Sequence, residues 1–324
     1  MPSPMTVELL ECHSRVLRGN PLGDPTLRRT PVYLPPSYPR RQYPVYYLLS
    51  GFTGFGELLI QRGAWSESLP ERLDRLIATR RMSEAIVVMP DCFTRYGGSQ
   101  YLNSTATGRY EDHLVRELVP HIDRNYRTNG RRAVLGKSSG GYGALVLGMR
   151  HPRIFHALAC HSGDMYFEYC YLPDFPKAID QLRKHGGLKQ FIRAWEKEPK
   201  RLAGDLHAAI NTVAMASCYS PRGREIDLPF DLKTGEIRKA IWRRWKSWDP
   251  VELLDRHAKD LKGLNGVFLD CGTRDQFALH HGARIFASKA RRLGVRLTFE
   301  EFDDDHSSIS YRYDRSFAFL SRYL

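Results

Sequence analysis

Long apolar runs are missing from this sequence. Nowhere do about 18 apolar residues follow one another, so no transmembrane helix is expected. Paired cysteines are missing too. Cys12, Cys92, Cys160, Cys170, Cys218 and Cys271 stand far apart with no C-x-x-C spacing, which argues against zinc and dithiol sites and for reduced thiols in a cytoplasmic protein. The opening segment MPSPMTVELLECHSR places Glu8 and Glu11 where a secretion signal needs an unbroken apolar stretch, so none is expected. Repeats, low-complexity tracts and a Gly/Ser-rich linker are also absent. His280-His281 and Asp303-Asp304-Asp305-His306 are the two places to check for a metal. No metal and no cofactor is predicted.

What is present fits an ordinary globular chain. With 324 residues, 42% hydrophobic and 11% aromatic, it can bury one substantial core, or a core and an inserted subdomain. Lys and Arg total 49 against 36 acidic residues, a formal charge of +13. The excess is scattered Arg on amphipathic segments, with no basic tail. Arg28-Arg29 with Arg40-Arg41, and Arg243-Arg244 with Lys246, read as solvated faces. Neither nucleic acid nor a membrane is expected as a partner.

Seven short β-rich runs punctuate the chain, beginning at Pro31, Val45, Ala85, Ala133, Ala157, Val267 and Arg296. Helical periodicity fills several gaps between them, over Glu71 to Thr79, Glu111 to Asn125, Tyr142 to Arg150 and Gly282 to Leu293. The alternation predicts an α/β fold with a mostly parallel central sheet flanked by helices. From 165 to 260 the rhythm fails, and charged, aromatic and helical segments predominate. This stretch reads as a helical cap inserted into a core made of 1–164 and 261–324.

The stretch Ala133 to Leu145, AVLGKSSGGYGAL, admits two chemistries. A phosphate-binding loop, G-x-x-x-x-G-K-[ST], would need glycine at position 131, where Arg131 stands; Gly130 is one residue out of register. The G-x-S-x-G turn of a serine nucleophile finds all its parts. An apolar strand precedes Gly136, Gly140 leaves room beside a strained serine, and a helix-forming run follows. Ser138 is the candidate nucleophile.

An acid and a histidine should follow, on loops after later strands. Gly272-Thr-Arg-Asp275 closes one strand-like run and Asp303-Asp-Asp-His306 closes the next. His306 would serve as base, with Asp275 orienting its ring. Asp270 reads as structural. Asp303, Asp304 and Asp305 are rival acids, though they adjoin His306 so closely that reaching its far ring nitrogen is awkward. Oxyanion donors are expected from the main-chain amides of Ser139 and, in the turn Ser50-Gly-Phe-Thr-Gly54, of Phe52.

Several segments, taken together, resemble one family: Asn20-Pro-Leu-Gly-Asp-Pro, Val32-Tyr-Leu-Pro-Pro-Ser-Tyr, Tyr43-Pro-Val-Tyr-Tyr-Leu-Leu-Ser-Gly-Phe-Thr-Gly, Tyr101-Leu-Asn-Ser, Glu117-Leu-Val-Pro-His-Ile-Asp and Gly136-Lys-Ser-Ser-Gly-Gly-Tyr-Gly-Ala. They are similar to the esterase family of α/β-hydrolases that includes the catalytic domains of enterochelin esterases, feruloyl esterases, S-formylglutathione hydrolases and mycolyltransferases. The resemblance spans about Arg15 to Met149 and resumes from Gly266. It implies the same triad, Ser138, Asp275 and His306, and the same amides, Phe52 and Ser139. It also brings Tyr101 and Asn103 near the site. Asp164 and Trp248, at the two ends of the insertion, complete the candidate substrate contacts.

The expected activity is hydrolysis of a small carboxylic ester through an acyl-enzyme. Acyl transfer with the same triad, and a silent binding protein on this fold, are the alternatives. The separate N-terminal domain of enterochelin esterases is not found here, so the resemblance implies no siderophore substrate. The insertion's aromatic residues, Tyr166, Phe167, Tyr169, Trp242, Trp245 and Trp248, are expected to include one or two that line the pocket.

Overall fold

A computed structural model describes residues 6–324; residues 1–5 of the expected core lie outside the described residues. Eight strands form one sheet: β1 (Thr6–His13), β2 (Leu27–Leu34), β3 (Tyr43–Leu49), β4 (Ile86–Val88), β5 (Thr128–Lys137), β6 (Ala157–His161), β7 (Gly266–Gly272) and β8 (Thr298–Phe302). Their spatial order is β1-β2-β4-β3-β5-β6-β7-β8. β2 runs antiparallel to both β1 and β4. All other neighbours are parallel. With helices on both faces, this is the α/β-hydrolase fold.

The central strands read as near-continuous apolar runs because both faces are covered. In β3 the side chains alternate between two cores: Val45, Tyr47 and Leu49 pack into one, Tyr46 and Leu48 into the other. Helix α1 (Leu69–Ala78) opens with a capping box, in which the Glu71 carboxylate accepts from the Ser68 amide at 2.9 Å. Helix α2 (Ser139–Arg150) follows β5 directly and is buried along nearly its whole length.

The sequence shows seven strand-like runs, and the central sheet has eight strands. The missed one, β1, is an edge strand whose side chains are mostly exposed or half-buried. It therefore lacks the apolar run that marked the others.

Between β6 and β7 the chain is helical, including Phe175–Lys184, Leu188–Trp195, α3 (Asp205–Tyr219), Lys239–Lys246 and α4 (Pro250–Lys262). α4 lies against α2 and against α5 (Leu279–Arg292), alongside the sheet-flanking helices. Asp249 stands immediately before α4. Asp249 is fully buried, and its carboxylate accepts from the amides of Tyr166 (3.0 Å), Phe167 (2.8 Å) and Val251 (2.9 Å) and from Lys246 Nζ (3.0 Å). One side chain thereby ties residues 166 and 167 to the start of α4.

Phe167, Tyr171, Phe175, Tyr219, Trp242 and Trp245 pack edge to face inside the insertion, with Phe167 and Tyr171 centroids 4.7 Å apart and Phe175 and Trp245 5.5 Å apart. All six cysteines are buried free thiols. Among the described residues no helix is long and apolar enough to cross a membrane.

Candidate active site

Five parallel strands, β3 and β5 to β8, end along the same edge of the sheet, and the loops that leave them build one cavity of about 420 Å³. Ser138 sits between β5 and α2 with φ 58° and ψ −128°, a strained conformation for a non-glycine residue. Its amide donates to the His161 carbonyl at 2.9 Å and its carbonyl accepts from Tyr142 at 2.9 Å. Both flanking glycines are sterically required. A Cβ at Gly140 would stand 2.1 Å from the Leu49 carbonyl oxygen, and one at Gly136 would stand 2.5 Å from the Gly140 backbone. β5, β3 and α2 meet too closely here for any other residue.

Across the cavity, His306 Nδ1 and Asp275 Oδ2 are 2.7 Å apart. Both residues are buried, at 7% and 3% exposure. The loops that carry them are laced together: Thr273 donates to the Phe302 carbonyl at 2.8 Å, and Arg274 to the Asp304 carbonyl at 3.0 Å. Asp275 Oδ1 accepts from the Phe277 amide at 2.9 Å, and Gln276 Oε1 accepts from the His306 amide at 3.0 Å. The Phe277 ring meets the His306 ring edge-on at 4.9 Å. Every degree of freedom of the imidazole except its Nε2 face is thus held. Among the described residues no hydrogen bond joins the Ser138 hydroxyl to that face, a separation common in sites without substrate.

The Ser50–Gly54 turn is fixed from three sides. The Tyr101 hydroxyl donates to the Ser50 carbonyl at 2.7 Å, Gly98 to the Phe52 carbonyl at 2.7 Å, and Gly54 to the Gly51 carbonyl at 3.0 Å. In a trans peptide N–H and C=O point opposite ways, so the Gly51 carbonyl's turn toward Gly54 aims the Phe52 N–H away from the loop. The Ser139 N–H, in the first turn of α2, has no partner within its helix. Phe52 and Ser139 both line the cavity with Ser138 and His306.

Asp164 lies on the same wall, and its Oδ2 accepts from Gln100 Nε2 (3.0 Å), Tyr171 OH (3.0 Å) and Ser139 Oγ (3.2 Å). Burial pushes its carboxyl above the usual range, against the pull of those donors and of His306. Lys137 contributes to the wall as well. Burial lowers its ammonium pKa, partly offset by Asp275 and Asp305.

Three of the expected substrate contacts lie elsewhere. Tyr101 is buried beneath the Ser50 carbonyl and supports the turn from behind. Asn103 accepts from the Asp112 amide at 3.0 Å, in a two-residue strand paired with Gly108–Arg109. Trp248 receives the Tyr142 hydroxyl on its carbonyl at 3.2 Å and has Arg150 over its ring. The six aromatic residues singled out in the insertion do not line the cavity either. Their rings are taken up in packing the insertion, or lie outside the site.

What reaches the cavity from the insertion is Cys170, Tyr171, His207 and Asn211. His207 and Asn211 are one turn apart on α3, whose sequence DLHAAINTVAMASCY is otherwise largely small or apolar. That pair of polar residues on a buried helix was the available signal. Phe277 was also missed.

Asp270 is structural, holding His161 Nδ1 at 2.7 Å and Arg312 Nε at 2.8 Å. Of the rival acids, Asp304 accepts from the Tyr311 hydroxyl at 2.9 Å. The His280 and His281 rings lie 4.1 Å apart, tilted by 41°. Among the described residues no group of three or more His, Cys, Asp or Glu is arranged to hold a metal ion.

A family model described as "Putative esterase" matches residues 26–311. The chain belongs to this esterase family. As a member it is an enzyme, an ester hydrolase. Solved structures agree on the fold of this esterase. One is a ferulic acid esterase, 21% identical, with 98% of each chain covered and a TM-score of 0.63. A second is an S-formylglutathione hydrolase from Agrobacterium tumefaciens, 18% identical over 99% of this chain and 96% of that one, with a TM-score of 0.62. A third is fluorophosphonate-binding serine hydrolase F of Staphylococcus aureus, 15% identical over 98% and 99%, with a TM-score of 0.61.

Proposed function

We propose that this esterase hydrolyses a small carboxylic ester through an acyl-enzyme formed on Ser138. His306 Nε2 takes the hydroxyl proton as Ser138 Oγ attacks the acyl carbon, and the oxyanion is met by the Phe52 and Ser139 amides. Collapse expels the alcohol, which leaves with the proton from His306. Water, deprotonated by the same imidazole, then frees the acid and restores Ser138. Asp275 keeps the Nδ1–H tautomer and so turns the Nε2 lone pair toward the serine. The helical insertion serves as a cap over the reacting groups. The six unpaired thiols support a reducing, cytoplasmic setting.

The observation that favours this reading most is the buried 2.7 Å pair of His306 and Asp275 facing a serine in a strained turn across one cavity. Ser138→Ala and His306→Ala should each cut ester turnover by about a millionfold, the size of loss seen when a member of such a unit is removed. Circular dichroism should show both variants folded. Turnover within about tenfold of wild type in either folded variant would overturn the assignment.

A further inference from the structure

The cavity has two unlike halves. Away from the insertion its lining is mixed: the apolar side chains Phe55, Leu58, Leu59 and Ile309 stand with the hydroxyls of Thr53, Ser308 and Ser310. Under the insertion it is polar, and three of its side chains retain unused hydrogen-bonding capacity. Asp164 spends Oδ2 on Gln100, Tyr171 and Ser139, while Oδ1 takes no hydrogen bond among the described residues. Asn211 and His207, from adjacent turns of α3, likewise make no side-chain hydrogen bond among the described residues, although both line the cavity.

Asp164 is buried and His207 and Asn211 are half-buried, so their free donors and acceptors are open to a ligand that enters the cavity. The supporting shell is built for permanence. Gln100 is fully buried and ties Asp164 to Tyr219 at 2.9 Å, and Tyr219 packs into the aromatic core of the insertion. The carboxylate is therefore held in place with one oxygen presented to the cavity.

We propose that Asp164 and Asn211 form a subsite for a hydroxyl group on one arm of the ester. The hydroxyl donates to Asp164 Oδ1 and accepts from the Asn211 amide, a pairing that an ammonium, which has no lone pair to offer, cannot complete. Burial acts in the same direction, because a neutral donor enters this wall with less desolvation than a charged one. The other arm lies along the apolar side chains of the mixed half. The substrate class is thus an ester with one apolar arm and one hydroxyl-bearing arm. This inference rests on Ser138 as nucleophile, which fixes where the scissile bond lies relative to Asp164.

The test compares matched esters, hydroxyl-bearing and deoxy, in two series that place the hydroxyl on the acyl arm or on the alcohol arm. The readout is the ratio of kcat/KM within each pair, measured separately in wild type, Asp164→Asn and Asn211→Ala. A general loss of activity in a variant then cancels. In wild type the hydroxyl member should be preferred about tenfold or more in one series, and either variant should bring that ratio to within about threefold of unity. A wild-type ratio near unity in both series, as expected if the polar wall binds only water, would overturn the proposal. So would a preference that persists in both variants.

Wild type needs no refolding control, so variants that fail to fold leave the first comparison decisive. Failure of the nucleophile assignment has a different signature: a phosphonate ester would leave Ser138 unlabelled whatever its arms carry.

Discussion

Ser138 keeps its left-handed backbone because its neighbours leave the chain no other course. The Leu49 carbonyl occupies the space beside Gly140, and the His161 carbonyl anchors the serine amide. Asp275 shows the same economy, since one oxygen receives the Phe277 amide and the other faces His306. In Asp275→Asn the oxygen can still serve Phe277, but the new NH₂ meets Nδ1 and favours the tautomer with its proton on Nε2. That proton blocks the serine. Ester turnover should fall by about 10⁴-fold with little change in Tm; a loss smaller than about tenfold in steady-state assays would contradict the orienting role.

These residues were legible because each stands at a strand end in a fixed order, which a linear sequence records. Asn211 and His207 were not, because their position over the cavity depends on how α3 packs across the sheet edge. The bulky aromatics of the insertion drew attention by type, yet large apolar rings are the side chains an inserted subdomain needs for its own interior.

Two carboxylates decide how elements are joined. Asp249 ties residues 166 and 167 to the start of α4, with four hydrogen bonds at full burial. Asp249→Ala strands the Tyr166 and Phe167 amides and should cost about 3 kcal/mol. Calorimetry should then show Tm lower by about 4 °C; a shift under about 1 °C would refute the joining role.

Glu117 joins the Ser14–Val16 turn to the helical segment 110–125. It accepts from Ser14 Oγ at 2.6 Å and from the amides of Arg15 and Val16 at 2.8 and 3.1 Å, and its Oε2 lies 3.1 Å from His113 Nδ1. Burial alone would raise its pKa, but these partners bring it down to about 2. A carboxyl depressed below its unfolded value, about 4.3, contributes stability above that pH and loses it as pH falls toward the folded value. The stability gap between wild type and Glu117→Gln should therefore be largest at neutral pH, on the order of 2 kcal/mol, and shrink steadily in urea unfolding from pH 5 to pH 3. A gap independent of pH would count against this network.

Elements escaped the sequence reading where burial and periodicity part company. β1 is too exposed to carry an apolar run, and α3 is buried on nearly all sides, so it shows no single apolar stripe. The parallel strands were plain because burial on both faces leaves little but apolar residues in them.

Taken as one body, the molecule gathers residues 52, 138, 139, 164, 275 and 306, drawn from five separate loops, onto one edge of a parallel sheet. Parallel pairing is what does this, since every such strand points its C-terminal end the same way. Part of the formal charge of +13 is engaged in ion pairs, with Arg72, Arg75 and Arg81 converging on Asp314, and Arg312 and Arg315 on Glu300. The proposed reaction uses groups on this sheet edge, and the proposed hydroxyl subsite lies beside them.

The central claim is that Ser138 is the nucleophile, and covalent trapping tests it most directly. Wild-type protein treated with an alkyl fluorophosphonate should gain one phosphonyl adduct by intact mass, mapped by peptide sequencing to Ser138. Ser138→Ala should gain none. An adduct on Ser139 or on any other residue, or undiminished labelling of Ser138→Ala, would contradict it.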